Sequence, residues 1–216
     1  MIVLGMALLA VTGCSISPSS YSFGLNDSRT PSASPGRPTG SFAAPDDRQR
    51  KKTVAKSSHT QRDRAPDGSY TKAPAGAFAD RSYGRIQLDA AQALHLINSY
   101  RSENGLKPLR LDALLTKAAK THSRDLATWD RISHFGSDGS NPWERVKRSG
   151  YHARLAAENV GTGQKTFEEV MAGWKKSEGH NKNLLLQDAE HIGVALVYDA
   201  NTEFRTFWTL VIGAPA

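Results

Sequence analysis

The chain has 216 residues, a formal net charge of +7 and a single cysteine. One cysteine excludes an intrachain disulfide and a zinc site built from several thiolates. Residues 15–85 hold 12 Lys and Arg against 6 Asp and Glu, whereas residues 86–216 hold 16 against 15. The second part therefore lacks the basic excess on which nucleic-acid binding depends, and we expect no nucleic-acid partner.

The first 14 residues predict an export signal. Residues 2–11 are an apolar run, which is short for a membrane-spanning helix and typical of a signal peptide, although no Lys or Arg precedes it. The run ends in VTGC, which resembles a bacterial lipobox and implies that Cys14 is lipidated and anchors the exported protein to a membrane. Ser15, rather than Asp, follows it, which favours the outer membrane. The alternative is a short N-terminal anchor helix with an incidental cysteine.

Residues 15–85 predict a disordered basic tether. They are rich in Ser, Pro, Gly, Ala, Lys and Arg and show no hydrophobic period, so they cannot bury enough apolar area to offset the entropy of ordering. Their charge either contacts anionic lipids and wall polymers or only keeps the tether soluble. We expect residues 86–216 to form the folded domain, as a monomer exposed to the periplasm or the exterior.

Four amphipathic helices are predicted in this domain. Their expected N-caps are Asp89, Asp112, Asn141 and Thr166. The second helix carries an apolar stripe at spacings of three and four, formed by Leu115, Ala118, Ala119, His122 and Leu126. The fourth begins with a Thr166–Glu169 capping box and is expected to continue to His180.

Three strands are predicted at RLAAENVG, HIGVALVYD and FRTFWTLVIG, and the loop DANTE joins the last two as a hairpin. Helices come first and the hairpin comes last, so the pattern favours an α+β fold over a doubly wound one. We expect a small, mostly antiparallel sheet with helices on both sides.

Residues 90–213 resemble a bacterial CAP domain, also called an SCP-like domain, of the cysteine-rich secretory protein, antigen 5 and pathogenesis-related superfamily. The matching segments, in order, are NSYRSENGLKPLRLDALLTKAAKTHSRDLA, SHFGSDGSNPWERVKRSGY, AENV, and GWKKSEGHNKNLL followed by HIGVALV. The resemblance implies an α-β-α sandwich with one cleft. Two histidines and one or two glutamates line this cleft in the family, and some members bind a divalent metal there.

Carried over by motif, the cleft histidines are His134 and His180, and the strand glutamate is Glu158. Ser177 stands where other members have a second glutamate, so the resemblance implies a His-Glu-His set here. Asn159 and Asn181 are expected to hydrogen-bond loop backbone around the cleft. The complete expected cleft set is His134, Glu158, His180, His122, Asn159 and Ser177.

Two imidazoles and a carboxylate match the ligand preferences of Zn²⁺. His134 and His180 would hold zinc or another divalent metal, and Glu158 would bind it or act as a base on its water. Without metal the same trio could perform acid–base chemistry. No HExxH or GxSxG motif is present. Each residue also has a structural interpretation, such as a helix C-terminal His180 that complements the helix dipole.

Three functions remain open at this point. The first, which we favour, is a non-catalytic domain that binds an envelope lipid, glycan, peptide or partner protein through the cleft. The second is a metal-dependent or acid–base hydrolase acting on envelope polymers or peptides. The third is a structural envelope protein in which the tether is the active part. Fold alone does not choose among them.

Overall fold

The computed structural model describes residues 62–216, and the predictions on the signal segment, Cys14 and most of the tether lie outside the described residues. The helices in this part of the chain are α1 (Ala90–Glu103), α2 (Ala113–Trp129), α3 (Pro142–Ser149), α4 (Phe167–Lys176) and α5 (Glu178–Leu184). The strands are β1 (Tyr70–Thr71), β2 (Arg110–Leu111), β3 (Ile132–Ser133), β4 (Ala153–Thr162), β5 (His191–Tyr198) and β6 (Thr206–Pro215). None of these helices has the length and apolar composition needed to cross a bilayer.

Four strands form one sheet in the order β2-β5-β6-β4. The predicted hairpin pairs β5 with β6 antiparallel, β4 pairs antiparallel with β6, and β2 adds in parallel beside β5. The strand β4 is therefore an edge strand, and its successive side chains point to opposite faces of the sheet. The short strands β1 and β3 form a separate antiparallel pair.

Helices cover both faces of this sheet. One face packs with α1 and α4 in a core that includes Ile192, Val194, Trp208, Leu210 and Ile212. The other face packs against α2 and α3 through Ala195 and Val211. This arrangement confirms the expected α+β class and the α-β-α sandwich.

The predicted helix starts are confirmed, because Asp89, Asp112, Asn141 and Thr166 each accept a hydrogen bond from backbone N–H groups of the first turn. The capping box at Thr166 is only half formed. The Glu169 carboxylate accepts from Lys165 N and from Arg81 instead of from the N-cap backbone.

The prediction of one helix from Thr166 to His180 is wrong. Ser177 adopts an extended conformation (φ −91°, ψ 121°), which ends α4, and α5 begins at the next residue. Ser177 and both of its neighbours are neither Gly nor Pro, so the residues at this point of the sequence do not signal the break.

The segment 62–85, which the sequence predicts to be part of the disordered tether, packs on the domain. Tyr70 and Thr71 pair with β3, and the Tyr83 hydroxyl donates to Gly163 O at 2.8 Å. Phe78 packs on Phe204 with 6.0 Å between ring centroids. The described unit therefore begins well before residue 86. These contacts are made by single, separated side chains and a two-residue strand, which leave no hydrophobic period in the sequence.

Gly193 of β5 marks the closest approach of α2 to the sheet. A Cβ atom there would lie 2.1 Å from Leu115 C and Thr116 N. Because backbone cannot yield as a side chain does, we predict that Gly193→Ala lowers the free energy of unfolding by about 3 kcal/mol or more. Gly173 lies in α4 with open space around its Cβ position, so Gly173→Ala should raise it by about 0.5–1 kcal/mol. Urea denaturation of both variants checks this, and equal effects would contradict the close packing.

Candidate functional site

Two adjacent residues of the edge strand β4 hold the histidines of the predicted cleft in place. Glu158 points to the side of α2 and α3, where its carboxylate meets the ring of His134. Asn159 points to the other side, where its amide Nδ2 donates to His180 O at 3.1 Å. One dipeptide of the sequence thus holds both cleft histidines, one through its ring and the other through its backbone.

The Glu158 carboxylate is buried, and both of its oxygens are engaged. Oε1 accepts from His134 Nδ1 at 3.0 Å and lies 3.5 Å from His122 Nε2. Oε2 accepts from Arg145 Nη2 at 2.7 Å. Burial alone raises the pKa of Glu158, but Arg145, His122 and His134 together outweigh burial and hold this pKa well below its usual range. The carboxylate is therefore ionised at neutral pH.

Arg145 of α3 is itself fixed by backbone carbonyls. Its Nη1 donates to Ser140 O at 2.7 Å, and its Nη2 donates to His134 O at 2.9 Å as well as to Glu158. The Arg145 side chain is 5 % exposed, whereas that of Arg148, one turn later, is 63 % exposed. Sequence reasoning missed Arg145, because nothing in the spacing of α3 separates it from Arg148.

The hydrogen bond to Glu158 sets the tautomer of His134. A carboxylate only accepts, so His134 Nδ1 carries a proton, and in the uncharged form of an imidazole held this way Nε2 presents the lone pair. The His134 side chain is 16 % exposed, which leaves the ring accessible from the cleft. An imidazole held in this way can accept a hydrogen bond from a ligand or act as a base.

His180 lies in α5, close to its start, and not at the C-terminal end of a helix as one sequence interpretation had it. The break at Ser177 is the reason. The ring is buried, and its Nε2 has no hydrogen-bond partner within residues 62–216. Burial, and then the neighbouring His134, lower the pKa of His180 to about 4. The ring is neutral at pH 7.

His122 and Ser177, the other predicted cleft residues, differ in their surroundings. His122 is fully buried, and its Nε2 donates to Ser133 O at 2.9 Å. Burial lowers the pKa of His122 to about 4, so it is a neutral neighbour beneath Glu158. Ser177 sits at the α4–α5 break, is half-buried, and makes no side-chain cap to α5.

The asparagines that follow His180 dock α5 onto the domain. Asn183 Nδ2 donates to Glu158 O at 3.2 Å and to Asn159 Oδ1 at 2.9 Å. Asn181 Oδ1 accepts from the Tyr100 hydroxyl at 2.8 Å, so it contacts a side chain and not the loop backbone. The two asparagines therefore bind α5 to both β4 and α1 through amide and hydroxyl groups.

Arg101 of α1, which sequence reasoning also missed, fixes the end of α5. This fully buried arginine donates from Nη1 to Leu184 O and Leu186 O at 2.8 and 3.0 Å. It therefore satisfies carbonyls that the end of the short helix would leave without partners.

These residues do not fit the metal site that the family resemblance implies. The Glu158 carboxylate already accepts from His134 and is paired with Arg145, which leaves two imidazoles where catalytic zinc uses three protein ligands. Within residues 62–216 no group of three or more His, Cys, Asp or Glu is arranged to hold a metal ion.

Sequence comparison relates the chain to one family. The sequence model of the Cysteine-rich secretory protein family (CAP) matches residues 94–212. The chain is 33% identical to the uncharacterized protein YkwD of Bacillus subtilis over 154 residues, covering 69% of this chain and 58% of that protein. It is 30% identical over 121 residues to the membrane protein YlbC of the same organism, covering 56% and 35%. The chain thus spans only part of the length of these relatives.

Solved structures agree with this relationship. An extracellular protein of Bacillus anthracis with an SCP domain superposes with a TM-score of 0.52 at 30% identity, over 57% of this chain and 39% of that one. An outer surface protein of Borrelia burgdorferi superposes with a TM-score of 0.53 at 20% identity, over 61% of this chain and 100% of that one. The second likeness concerns the fold alone.

The two buried histidines predict an acid-sensitive fold. Their folded pKa of about 4 lies below the ordinary value of 6.5, so the unfolded chain binds more protons between these values. Stability is therefore complete above pH 6.5 and is lost as the pH falls toward 4, by about 2–3 kcal/mol for each ring. Urea denaturation across this range measures the loss. His180→Asn should make the free energy of unfolding fall less steeply with decreasing pH, whereas the exposed-site variant His152→Asn should leave this pH dependence as in wild type. An unchanged pH dependence in His180→Asn would contradict the lowered pKa of His180.

Proposed function

This chain belongs to the Cysteine-rich secretory protein (CAP) family, and from that premise we propose that its domain is a non-catalytic binding module. Its ligand is a neutral, hydroxyl-bearing molecule of the cell envelope, a glycan or a lipid headgroup, held between His134 and His180. Relatives named as an extracellular protein and as an outer surface protein support a place outside the cytoplasm.

The observation that carries this proposal is the unpartnered Nε2 of the buried His180. A buried polar atom without a partner costs about 1–3 kcal/mol, and a ligand that supplies the partner recovers this cost. His134 adds an acceptor, because Glu158 fixes its proton on Nδ1. A hydroxyl both donates and accepts, so it suits either tautomer of His180 and the Nε2 lone pair of His134.

The charge balance of the cleft favours a neutral ligand. Glu158 is ionised, but its charge is paired with Arg145 at 2.7 Å. His180 is neutral at pH 7 because its pKa is lowered to about 4. An ionic ligand would therefore lose its hydration without meeting an unpaired counter-charge, whereas a hydroxyl exchanges one hydrogen bond for another.

Acid–base hydrolysis is a second candidate, favoured by the bond between Glu158 and His134 at 3.0 Å. A carboxylate that holds an imidazole in one tautomer is also found in hydrolase triads, where the ring acts as a general base. Within residues 62–216, however, the polar partners of His134 are Glu158 and Arg145, and neither is a free nucleophile. On this alternative His134 would activate a water molecule.

Membrane attachment through Cys14 is the second part of the proposal. The lipobox resemblance supports it, and one relative is named as a membrane protein. The domain would then meet its ligand within reach of the tether from the membrane, with the outer membrane favoured.

We predict that neutral N-acetylglucosamine oligosaccharides or vesicles carrying a neutral glycosylated lipid bind the wild-type protein, and that His134→Ala and His180→Ala each weaken binding at least about tenfold. The exposed-site variant His152→Ala should bind as wild type does. Calorimetry measures the affinities, and mass spectrometry of the recovered ligand measures its integrity.

Intact ligand supports the binding module. Cleavage of the ligand that is lost in His134→Ala would contradict it and select the acid–base alternative. Equal affinity of all four proteins would place the ligand elsewhere on the molecule.

A further inference from the structure

The guanidinium of Arg145 is a buried positive charge held next to Glu158. Arg145 lies against Glu158 Oε2 at 2.7 Å, and two further hydrogen bonds, to Ser140 O and His134 O, hold its guanidinium in place. Its side chain is 5 % exposed, so the charge is not free to move into solvent. A guanidinium has no deprotonated form at physiological pH, and the cation is therefore permanent.

This cation neutralises the carboxylate whose negative charge a metal ion held by His134 would need. Two imidazoles alone are neutral ligands, and a divalent cation beside them is stabilised by an adjacent carboxylate. Here the charge of the carboxylate is already paired: Oε1 accepts from His134 and Oε2 from Arg145. An incoming divalent ion would also be repelled by the guanidinium in a poorly solvated setting, where charges interact strongly.

We propose that Arg145 keeps divalent metal ions out of the cleft between His134 and His180, so that the cleft remains a metal-free polar site. Arg145 is thus the residue that sets the ligand class, although it does not itself need to touch the ligand. Metal exclusion and hydroxyl binding are separate properties of the cleft, so either can fail while the other holds.

Removing the guanidinium should convert the cleft into a metal site. In Arg145→Gln the Glu158 carboxylate is left unpaired against His134 Nδ1, so its full negative charge supports this imidazole as a metal ligand. His134 and His180 would then supply the two imidazoles of a zinc site. Arg145→Lys keeps a positive charge at the same place and is the matched control.

Calorimetric titration of Zn²⁺ into the full chain in detergent tests this. We expect wild type and Arg145→Lys to bind no more zinc than His134→Ala/His180→Ala does. Arg145→Gln should bind one further equivalent with an affinity at least about tenfold higher, and adding His134→Ala should abolish the gain. One equivalent bound by wild type and lost in the double-histidine variant would overturn the proposal, as would a folded Arg145→Gln without any gain.

Thermal denaturation keeps the test decisive if Arg145→Gln is unstable. A metal that binds only the folded variant raises its Tm, whereas the wild-type Tm should not move. The proposal would be contradicted if zinc did not raise the Tm of Arg145→Gln. It would also be contradicted if zinc raised the Tm of Arg145→Gln/His134→Ala by the same amount. If Arg145→Gln does not fold at all, the wild-type titration against the double-histidine variant decides on its own. If wild type excludes zinc but does not bind the hydroxyl-bearing ligand, the proposed function fails and the role of Arg145 in metal exclusion stands.

Discussion

A buried negative charge on an edge strand, the carboxylate of Glu158, is the constraint on which the cleft depends. Removing a carboxylate from water costs several kcal/mol unless it is paired and hydrogen-bonded. Arg145 and His134 meet that requirement from α3 and from the loop after β3, with His122 beneath them. The same bonds that neutralise the charge therefore fix the cleft loop, the tautomer of His134 and the packing of α3 on β4.

The opposite side of β4 is held by neutral groups. Asn159 binds the backbone of His180, and Asn183 returns two hydrogen bonds to the same strand. The alternation of side chains along a strand places these contacts and the Glu158 cluster on opposite faces. The edge strand thus carries a charged cluster on one face and amide contacts on the other, and the Nε2 of the buried His180 has no hydrogen-bond partner within residues 62–216.

Local patterns predicted most of the fold. The N-caps, the stripe on α2 and the alternating β5–β6 hairpin are short-range signals. Arg145 was not predictable, because its partner Glu158 is 13 residues away and its neighbour Arg148 looks the same in sequence. The order of residues 62–85 was missed for a related reason. Its anchors are long-range, such as the buried Arg131 bound to Asp63 and the pairing of β1 with β3. The family motifs named His134, Glu158 and His180, but not the arginine that changes their chemistry.

The measurement that tests this account most directly is a double-mutant cycle on Glu158 and Arg145. The free energies of unfolding of wild type, Glu158→Gln, Arg145→Met and the double variant are compared at pH 7. The account predicts that Arg145→Met alone is destabilising by about 3–5 kcal/mol, that Glu158→Gln relieves most of this loss, and that the coupling is about 2 kcal/mol or more. Additive effects, with coupling below about 0.5 kcal/mol, would contradict the claim that this buried pair organises the cleft.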